Sequence, residues 1–327
     1  MKLMVFGGAG YVGSALVPVL LDHGYDVTVI DLLWFGNRLP KEVNVIQKDL
    51  FSCTEKDLEG FDQCIFLGGL SNDPMSEFDP VRSFIYNASL PSYLAYISRQ
   101  AGVKRFIYAS SCSVYGYTVD KLFDETSKIS CFYPYGIGKL QGEKGVMHLQ
   151  EDDFSVICLR KGTVSGYSPR LRLDLIVNTM VLNALTKGVV TISNPAIWRP
   201  ILSMRDCVSA YLRSIQANYS VSGVFNIAFD NFTVGEVGYT VKDVIEKRYP
   251  DRHIKLDVKN VQDVRNYKVT IEKARTTLGF HPRYSVADIV TELLDKWDTI
   301  LPLIDKDESY NIRICKKLFS DKEIRIA

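Results

Sequence analysis

The chain has no run of ~18 apolar residues, which excludes a transmembrane helix. It also lacks an excess of charge. Its 39 Lys and Arg face 38 Asp and Glu, and a net charge of +1 gives no bulk attraction to nucleic acid or an anionic membrane. Histidine is scarce, at 4 residues without ligand spacing, and no C-x-x-C pair exists, so no metal site is expected. The seven cysteines (Cys53, Cys64, Cys112, Cys131, Cys158, Cys207 and Cys315) are odd in number. Several sit in apolar runs such as Gln63-Cys64-Ile65-Phe66-Leu67. That pattern argues against a disulfide framework and for reduced, packed thiols in a cytoplasmic protein. The opening Met1-Lys2-Leu3-Met4-Val5-Phe6 is cut at once by glycine and lacks the architecture of a secretion signal. Repeats and low-complexity segments are absent as well.

What is present is an ordinary globular composition. The 327 residues are 46% hydrophobic and 11% aromatic, enough to bury a core without staples. At ~150 residues per domain, two domains are expected. In the first half, strands are predicted over 3–6, 27–30, 43–46, 64–67, 105–109 and 156–159. Helices are predicted over 11–22, 80–101 (ended by Gly102) and 133–149. Apolar β-branched runs without polar alternation are strands covered on both faces. Their alternation with helices predicts an α/β fold with a doubly wound parallel sheet. After Gly166 the rhythm changes. Helices are expected over 175–186, 206–216, 233–248 and 286–299, with short segments at 189–192, 198–204 and 224–228. The expected division is a first domain over 1–166, to which the chain returns near 203–230, and a smaller discontinuous α/β domain over 167–327. The tail from Leu303 shows weak periodicity.

Gly7, Gly10 and Gly13 lie between the first strand and the first helix. Glycine there permits a tight turn, close approach of backbone to a pyrophosphate, and close helix–strand packing. The free amides of the helix start, around Tyr11 and Val12, then face the anion. Asp31 ends the second strand. A carboxylate at that point accepts hydrogen bonds from ribose hydroxyls and repels a 2′-phosphate. Leu32 and Leu33 follow it, so no adjacent Arg offers a phosphate partner, and NAD is expected rather than NADP. Asp49-Leu50 after the third strand and Leu67-Gly68-Gly69 after the fourth are further candidate cofactor contacts. An Asp after a strand also serves as a helix cap.

Tyr135 and Lys139 stand four apart and share a helix face. A nearby ammonium favours the phenolate, so the pair is expected to lower the Tyr135 pKa. Such a phenol exchanges protons with a substrate alcohol near neutral pH. Ser110 and Ser111 lie just past the fifth strand, where ligands of open α/β sheets bind.

With these residues in place, the sequence resembles the extended short-chain dehydrogenase/reductases, the nucleotide-sugar epimerase/dehydratase family. The resemblance is carried by Gly7/Gly10/Gly13, Asp31, Asn87, Ser110-Ser111-Cys112-Ser113-Val114-Tyr115-Gly116, Tyr135/Lys139, and Leu159-Arg160 followed by Gly166. It implies a Rossmann domain with a small C-terminal sugar-nucleotide domain. It implies Tyr135 as acid/base, Lys139 as its partner and a cofactor ligand, Ser111 as a hydrogen-bonder to the reacting oxygen, and Asn87 beside the cofactor. It also implies a homodimer formed through the two long helices.

Dehydratases of this family carry Thr-Asp-Glu where this chain has Ser111-Cys112-Ser113. Without those carboxylates, the expected reaction is C4 epimerisation of a nucleoside-diphosphate sugar through a transient 4-keto sugar. The run Ser168-Pro169-Arg170-Leu171-Arg172-Leu173-Asp174 departs from the epimerase pattern and resembles GDP-heptose 4-dehydrogenases. Net C4 oxidation or reduction is therefore the alternative. A non-catalytic NAD-binding protein is disfavoured because Tyr135 and Lys139 are both kept. Cys112 is open between an acid/base thiol, as in the family's 3,5-epimerases, and a packed small residue. Candidates for the substrate diphosphate are Arg170, Arg172, Arg199 and Arg265. Thr163 stands where the family often has Asn, and Asn260 where epimerases have Arg. Asn178 either approaches the substrate or satisfies a domain junction.

Overall fold

A computed structural model of the chain describes residues 1–260 and 265–320. It opens with β1 (Lys2–Phe6), α1 (Gly13–Asp22), β2 (Asp26–Asp31), β3 (Asn44–Gln47) and β4 (Gln63–Phe66). There follow α2 (Asp73–Phe78), α3 (Pro80–Phe84), a π turn over Ile85–Ser89, and α4 (Leu90–Gln100). Next come β5 (Arg105–Tyr108), β6 (Tyr117–Phe123), α5 (Pro134–Met147), β7 (Ser155–Lys161) and β8 (Thr163–Ser165). Then α6 (Ile176–Lys187), β9 (Val189–Ser193), β10 (Trp198–Ser203), α7 (Met204–Gln216) and β11 (Gly223–Ile227). The chain closes with β12 (Asp230–Thr233), α8 (Val234–Arg248), β13 (Lys255–Lys259), β14 (Asn266–Val269), α9 (Val286–Asp295), α10 (Trp297–Ile300) and α11 (Asn311–Leu318).

Seven parallel strands form one sheet in the order β11-β7-β5-β4-β1-β2-β3. Alternate residues of the inner strands serve its two faces. Val5, Ile65, Ile107 and Ile157 pack with Leu16 and Val17 of α1 and Tyr211 of α7. Phe6, Cys64, Phe66 and Phe106 pack with Leu94 of α4 and Val146 of α5. With helices on both faces, neither set of side chains meets water, and hence the strands read as continuous apolar runs. This is the doubly wound α/β fold expected from the sequence. Smaller sheets, β12-β10-β8, β13-β9 and β14-β6, complete the molecule. A separate apolar core joins Val177 and Val181 of α6 to Val237 and Val241 of α8 and to Ile289 and Leu293 of α9. Among the described residues, no helix is long and apolar enough to cross a membrane.

The chain runs from β1 outward through β2 and β3, then returns to β4 on the other side of β1. That reversal opens a crevice at the carboxyl ends of β1 and β4. Gly7 sits at its lip with φ +72°, and a Cβ there would lie 2.6 Å from Gly68 N. A Cβ on Gly13 would lie 2.2 Å from Gly8 O, so both positions require the missing side chain.

Several elements differ from expectation. The helix predicted over 80–101 is interrupted by the π turn around Asn87. Pro91 has no amide to donate back to the Asn87 carbonyl, which instead accepts from the Tyr108 hydroxyl at 2.8 Å. The helix predicted over 286–299 breaks at Lys296 into α9 and α10. Strands β6 and β14 had no sequence signal. Their pairing joins Asn266 to Tyr117 and Val269 to Phe123, a long-range contact that supplies its own stability only once both segments have folded. The tail forms α11, whose Cys315 packs with Leu70 and Met75, against Trp34 and Tyr86.

Candidate active site

The crevice deepens into a cavity of ≈ 780 Å³ that runs from Asp31 past the glycine turn to Tyr135. At one end, the Asp31 carboxylate accepts from Ala9 N at 2.9 Å and Leu33 N at 2.7 Å. Burial pushes its pKa up, opposed by those amides and by Arg170. Each carboxylate oxygen keeps a lone pair for a ribose hydroxyl. The amides of Tyr11 and Val12 have no acceptor among the described residues, and both residues line the cavity. Unused donors at a helix start suit a pyrophosphate. The donor set therefore fits a dinucleotide. Leu50, Leu67, Gly68, Gly69, Gly10 and Gly13 line the same wall. Asp49 lines it too, while its carboxylate caps Phe51 N at 3.0 Å.

At the other end, Tyr135, Ser111 and Lys139 line the same stretch of cavity wall, and Lys139 Nζ lies 6.0 Å from the Tyr135 ring centre. Tyr135 stands at the start of α5 because Pro134 takes the first helical position, where no amide is needed. Ser111 stands where β5 ends and a short turn begins, its hydroxyl accepting from Ser113 N at 3.2 Å. The expectation that Lys139 lowers the Tyr135 pKa is not what this geometry produces. Burial, and then the Asp73 carboxylate, push the phenol up, while Ser111 and Arg172 draw it down. Lys139 is itself driven down from 10.5 to about 7 by burial and by the like charge of Lys161.

That depression has a consequence for stability. A Lys whose folded pKa lies below its unfolded one binds fewer protons when folded, so it penalises folding most at low pH. Between pH 7 and 10.5 the penalty fades, and above 10.5 it is gone. Lys139→Met is expected to raise the stability of nucleotide-free protein at pH 7 by on the order of 4 kcal/mol. Denaturant melts at several pH values test this, and a gain that does not shrink toward pH 10.5 contradicts it.

Three expected contacts are not cavity-lining. Cys112 is wholly buried, and its thiol donates to the Arg160 carbonyl at 3.0 Å. Burial pushes its pKa far up, so it is a packed small residue and not an acid/base. Asn178 spends its amide on Gly166 N and O and on Arg172 O, locking the junction that follows β8. Asn87 is buried in the π turn, with its amide nitrogen on Leu70 O at 2.9 Å and Ser83 Oγ at 3.2 Å. There it holds the loop after β4 from behind. Ser110 does line the cavity, but its hydroxyl is committed to Glu143 at 2.8 Å.

The arginines separate. Arg170 lies at the Asp31 end, its guanidinium 3.8 Å above the Phe35 ring and bonded to Asn311 at 2.5 Å. Burial, then Arg172, lower its pKa to about 9. So the charge that acts on Asp31 comes from an Arg 139 positions downstream rather than from the next residue. Arg172 pairs with Asp174 at 2.8 Å and reaches Ser71. Arg199 donates to the carbonyls of Trp198 and Arg265. Arg199, Arg265 and Thr163 all line the cavity.

Among the cavity residues that escaped the sequence reading are Asp73, Lys161, Tyr267 and Asn311, which bring polar or charged groups. Asp73 brings a carboxylate into the cavity and pairs with Arg265 at 2.6 Å. Asn72-Asp73-Pro74, at the end of the loop that follows β4, is a helix-start signal beyond a strand's carboxyl end, which marked the place. Lys161 ends β7, and a charge closing an apolar strand was its signal. Tyr267 and Asn311 had none, since each comes from a remote element.

The comparisons agree with this geometry. Residues 3–228 match the model of the NAD dependent epimerase/dehydratase family. A UDP-glucose 4-epimerase of Corynebacterium glutamicum is 25% identical over 333 residues, covering 94% of this chain and 98% of that protein. The solved structure of MoeE5 in complex with UDP-glucose and NAD superposes with a TM-score of 0.80 at 26% identity, over 92% of this chain and 100% of that one. The fold also matches a UDP-glucose 4-epimerase of Thermotoga maritima, with a TM-score of 0.80 at 24% identity over 92% and 100% of the two chains. A glycine crevice closed by Asp31 at one end and by Tyr135, Ser111 and Lys139 at the other, in a chain matched along its length, places this protein in the NAD-dependent epimerase/dehydratase family of enzymes that modify nucleotide sugars.

Proposed function

We propose that the protein is a 4-epimerase of a UDP-sugar, working through a transient 4-keto sugar. The observation that carries this reading is the meeting of Tyr135, Ser111 and Lys139 on the wall of one cavity end, with Lys139 Nζ 6.0 Å from the Tyr135 ring centre. Asp31 holds the adenosine ribose, and the amides of Tyr11 and Val12 hold the cofactor pyrophosphate. Arg172, Arg199 and Arg265 meet the substrate diphosphate. Ser111 fixes the C4 oxygen of the sugar, and Tyr135 takes its proton and later returns it. NAD, when bound, supplies the hydride acceptor, and its positively charged ring favours ionisation of the phenol. Epimerisation needs nothing more than this set, which fits the lack of carboxylates in Ser111-Cys112-Ser113.

The test is proton NMR of UDP-glucose incubated with the protein and NAD, with GDP- and dTDP-glucose alongside. The expected result is the C4 epimer with no net cofactor reduction. Equimolar reduced cofactor with a released 4-keto sugar replaces this reading by net C4 oxidation.

We infer pairing with a second copy through α2, α3, α4 and α5, where Phe78, Val81, Phe84, Tyr96 and Ile137 are exposed. Sedimentation is expected to give about twice the chain mass. Replacing Val81 and Phe84 by Asp is expected to halve it.

A further inference from the structure

Lys161 takes no part in the chemistry just described. It ends β7 and bridges to Ser111, with its amide 3.5 Å from the Ser110 carbonyl. This puts it on the cavity wall at the reacting end. Its ammonium lies 5.5 Å from the centre of the Tyr211 ring. No carboxylate or hydrogen-bond acceptor meets that ammonium among the described residues. The titratable groups facing it are Cys207 and Tyr211 of α7 and Lys139 of α5. Burial pushes the Cys207 thiol up to about 11 and the Tyr211 phenol well above its usual value, so both are neutral near pH 7. Lys139 has the same sign as Lys161. Burial draws both lysines down, Lys139 to about 7, so below that pH two ammonium groups line one cavity with no carboxylate paired to either among the described residues. Such an arrangement is unfavourable by itself, and it repels any third positive charge brought in.

We propose that Lys161 sets the redox preference of the bound dinucleotide: with Lys139 it makes the reacting end of the cleft cationic, and so selects the neutral dihydronicotinamide over the positively charged nicotinamide. The inference rests on the proposed function, because it takes the nicotinamide to lie where Tyr135 and Ser111 hold the sugar alcohol. The oxidised and reduced rings differ by one unit of charge and hardly in shape. A cation within about 6 Å therefore separates their affinities by roughly tenfold or more at the effective dielectric of a protein cleft. Lys161 is a positioning residue in this account. It touches no reacting atom and acts through the field it adds.

The test is direct binding of NAD and of NADH to nucleotide-free wild-type protein, Lys161→Met and Lys161→Arg, measured by calorimetry. Wild type is expected to hold NADH more tightly. Lys161→Met is expected to shrink the ratio of the two dissociation constants by roughly tenfold, and Lys161→Arg to keep it. A lost packing contact lowers both affinities together and leaves the ratio alone, and that outcome overturns the inference. If Lys161→Met does not fold, Lys161→Gln is measured in its place against the same ratio. An unchanged ratio in a protein that still epimerises sugars sinks this inference only. A wild-type protein that binds neither nucleotide sinks the proposed function with it.

Discussion

Tyr135→Phe is expected to cut turnover by about 10²–10⁴-fold while leaving dinucleotide binding intact. The substitution removes one oxygen from a side chain held by its ring and by the start of α5, so the cavity keeps its shape. What disappears is the group proposed to accept and return the sugar proton, at the cavity wall it shares with Ser111. Ser111 alone still binds the C4 oxygen but has no means of taking a proton near neutral pH. The loss is therefore expected mainly in kcat, with KM little changed. Steady-state rates beside cofactor titration separate the two. Full activity in the variant refutes the role given to the phenol. Because burial and Asp73 hold the phenol above its usual pKa, Asp73→Asn is expected to move the rise of kcat with pH toward lower values in the wild-type Tyr135 background.

Glu143→Ala is expected to destabilise the protein by about 3–5 kcal/mol, the largest loss of stability of any single substitution considered. Glu143 and Arg160 are each only 4% exposed, and they meet at 2.6 Å. The carboxylate also accepts from Arg160 Nε at 2.9 Å and from Ser110 at 2.8 Å. Arg160 extends the network to the Tyr115 hydroxyl at 2.8 Å, and Tyr115 to Asn226 of β11 at 2.8 Å. Removing the acid leaves a guanidinium buried with no counter-charge, which costs more than the intact pair contributes. The same change frees the Ser110 hydroxyl beside Ser111, so activity should fall in the folded fraction as well. Denaturant melts give the first quantity. A loss below about 1 kcal/mol would show that water or a rearranged partner reaches Arg160.

This network marks the boundary of sequence reading. Arg160 was visible as part of a motif, yet Glu143 read as one more polar residue of a helix. Only the packing of α5 across β5 and β7 turns the two into a pair. Cys112 shows the converse. Its place beside Ser111 in the sequence suggested chemistry, but the turn after β5 directs the thiol inward to the Arg160 carbonyl. Neighbours along a chain at the end of a strand point in different directions, so adjacency in sequence does not imply a shared site.

Local order along the chain was enough for the sheet, the glycine turn, Asp31 and the Tyr135/Lys139 pair, because hydrophobic period, turn chemistry and helical spacing act within a few residues. Folding in three dimensions alone brought Arg170 to Asp31, Asp73 to Arg265, Asn311 to Ser71 and Lys161 to Lys139. Those meetings join segments up to 240 positions apart, and their energies arise from burial and charge in a shared cavity, which no short stretch of sequence contains.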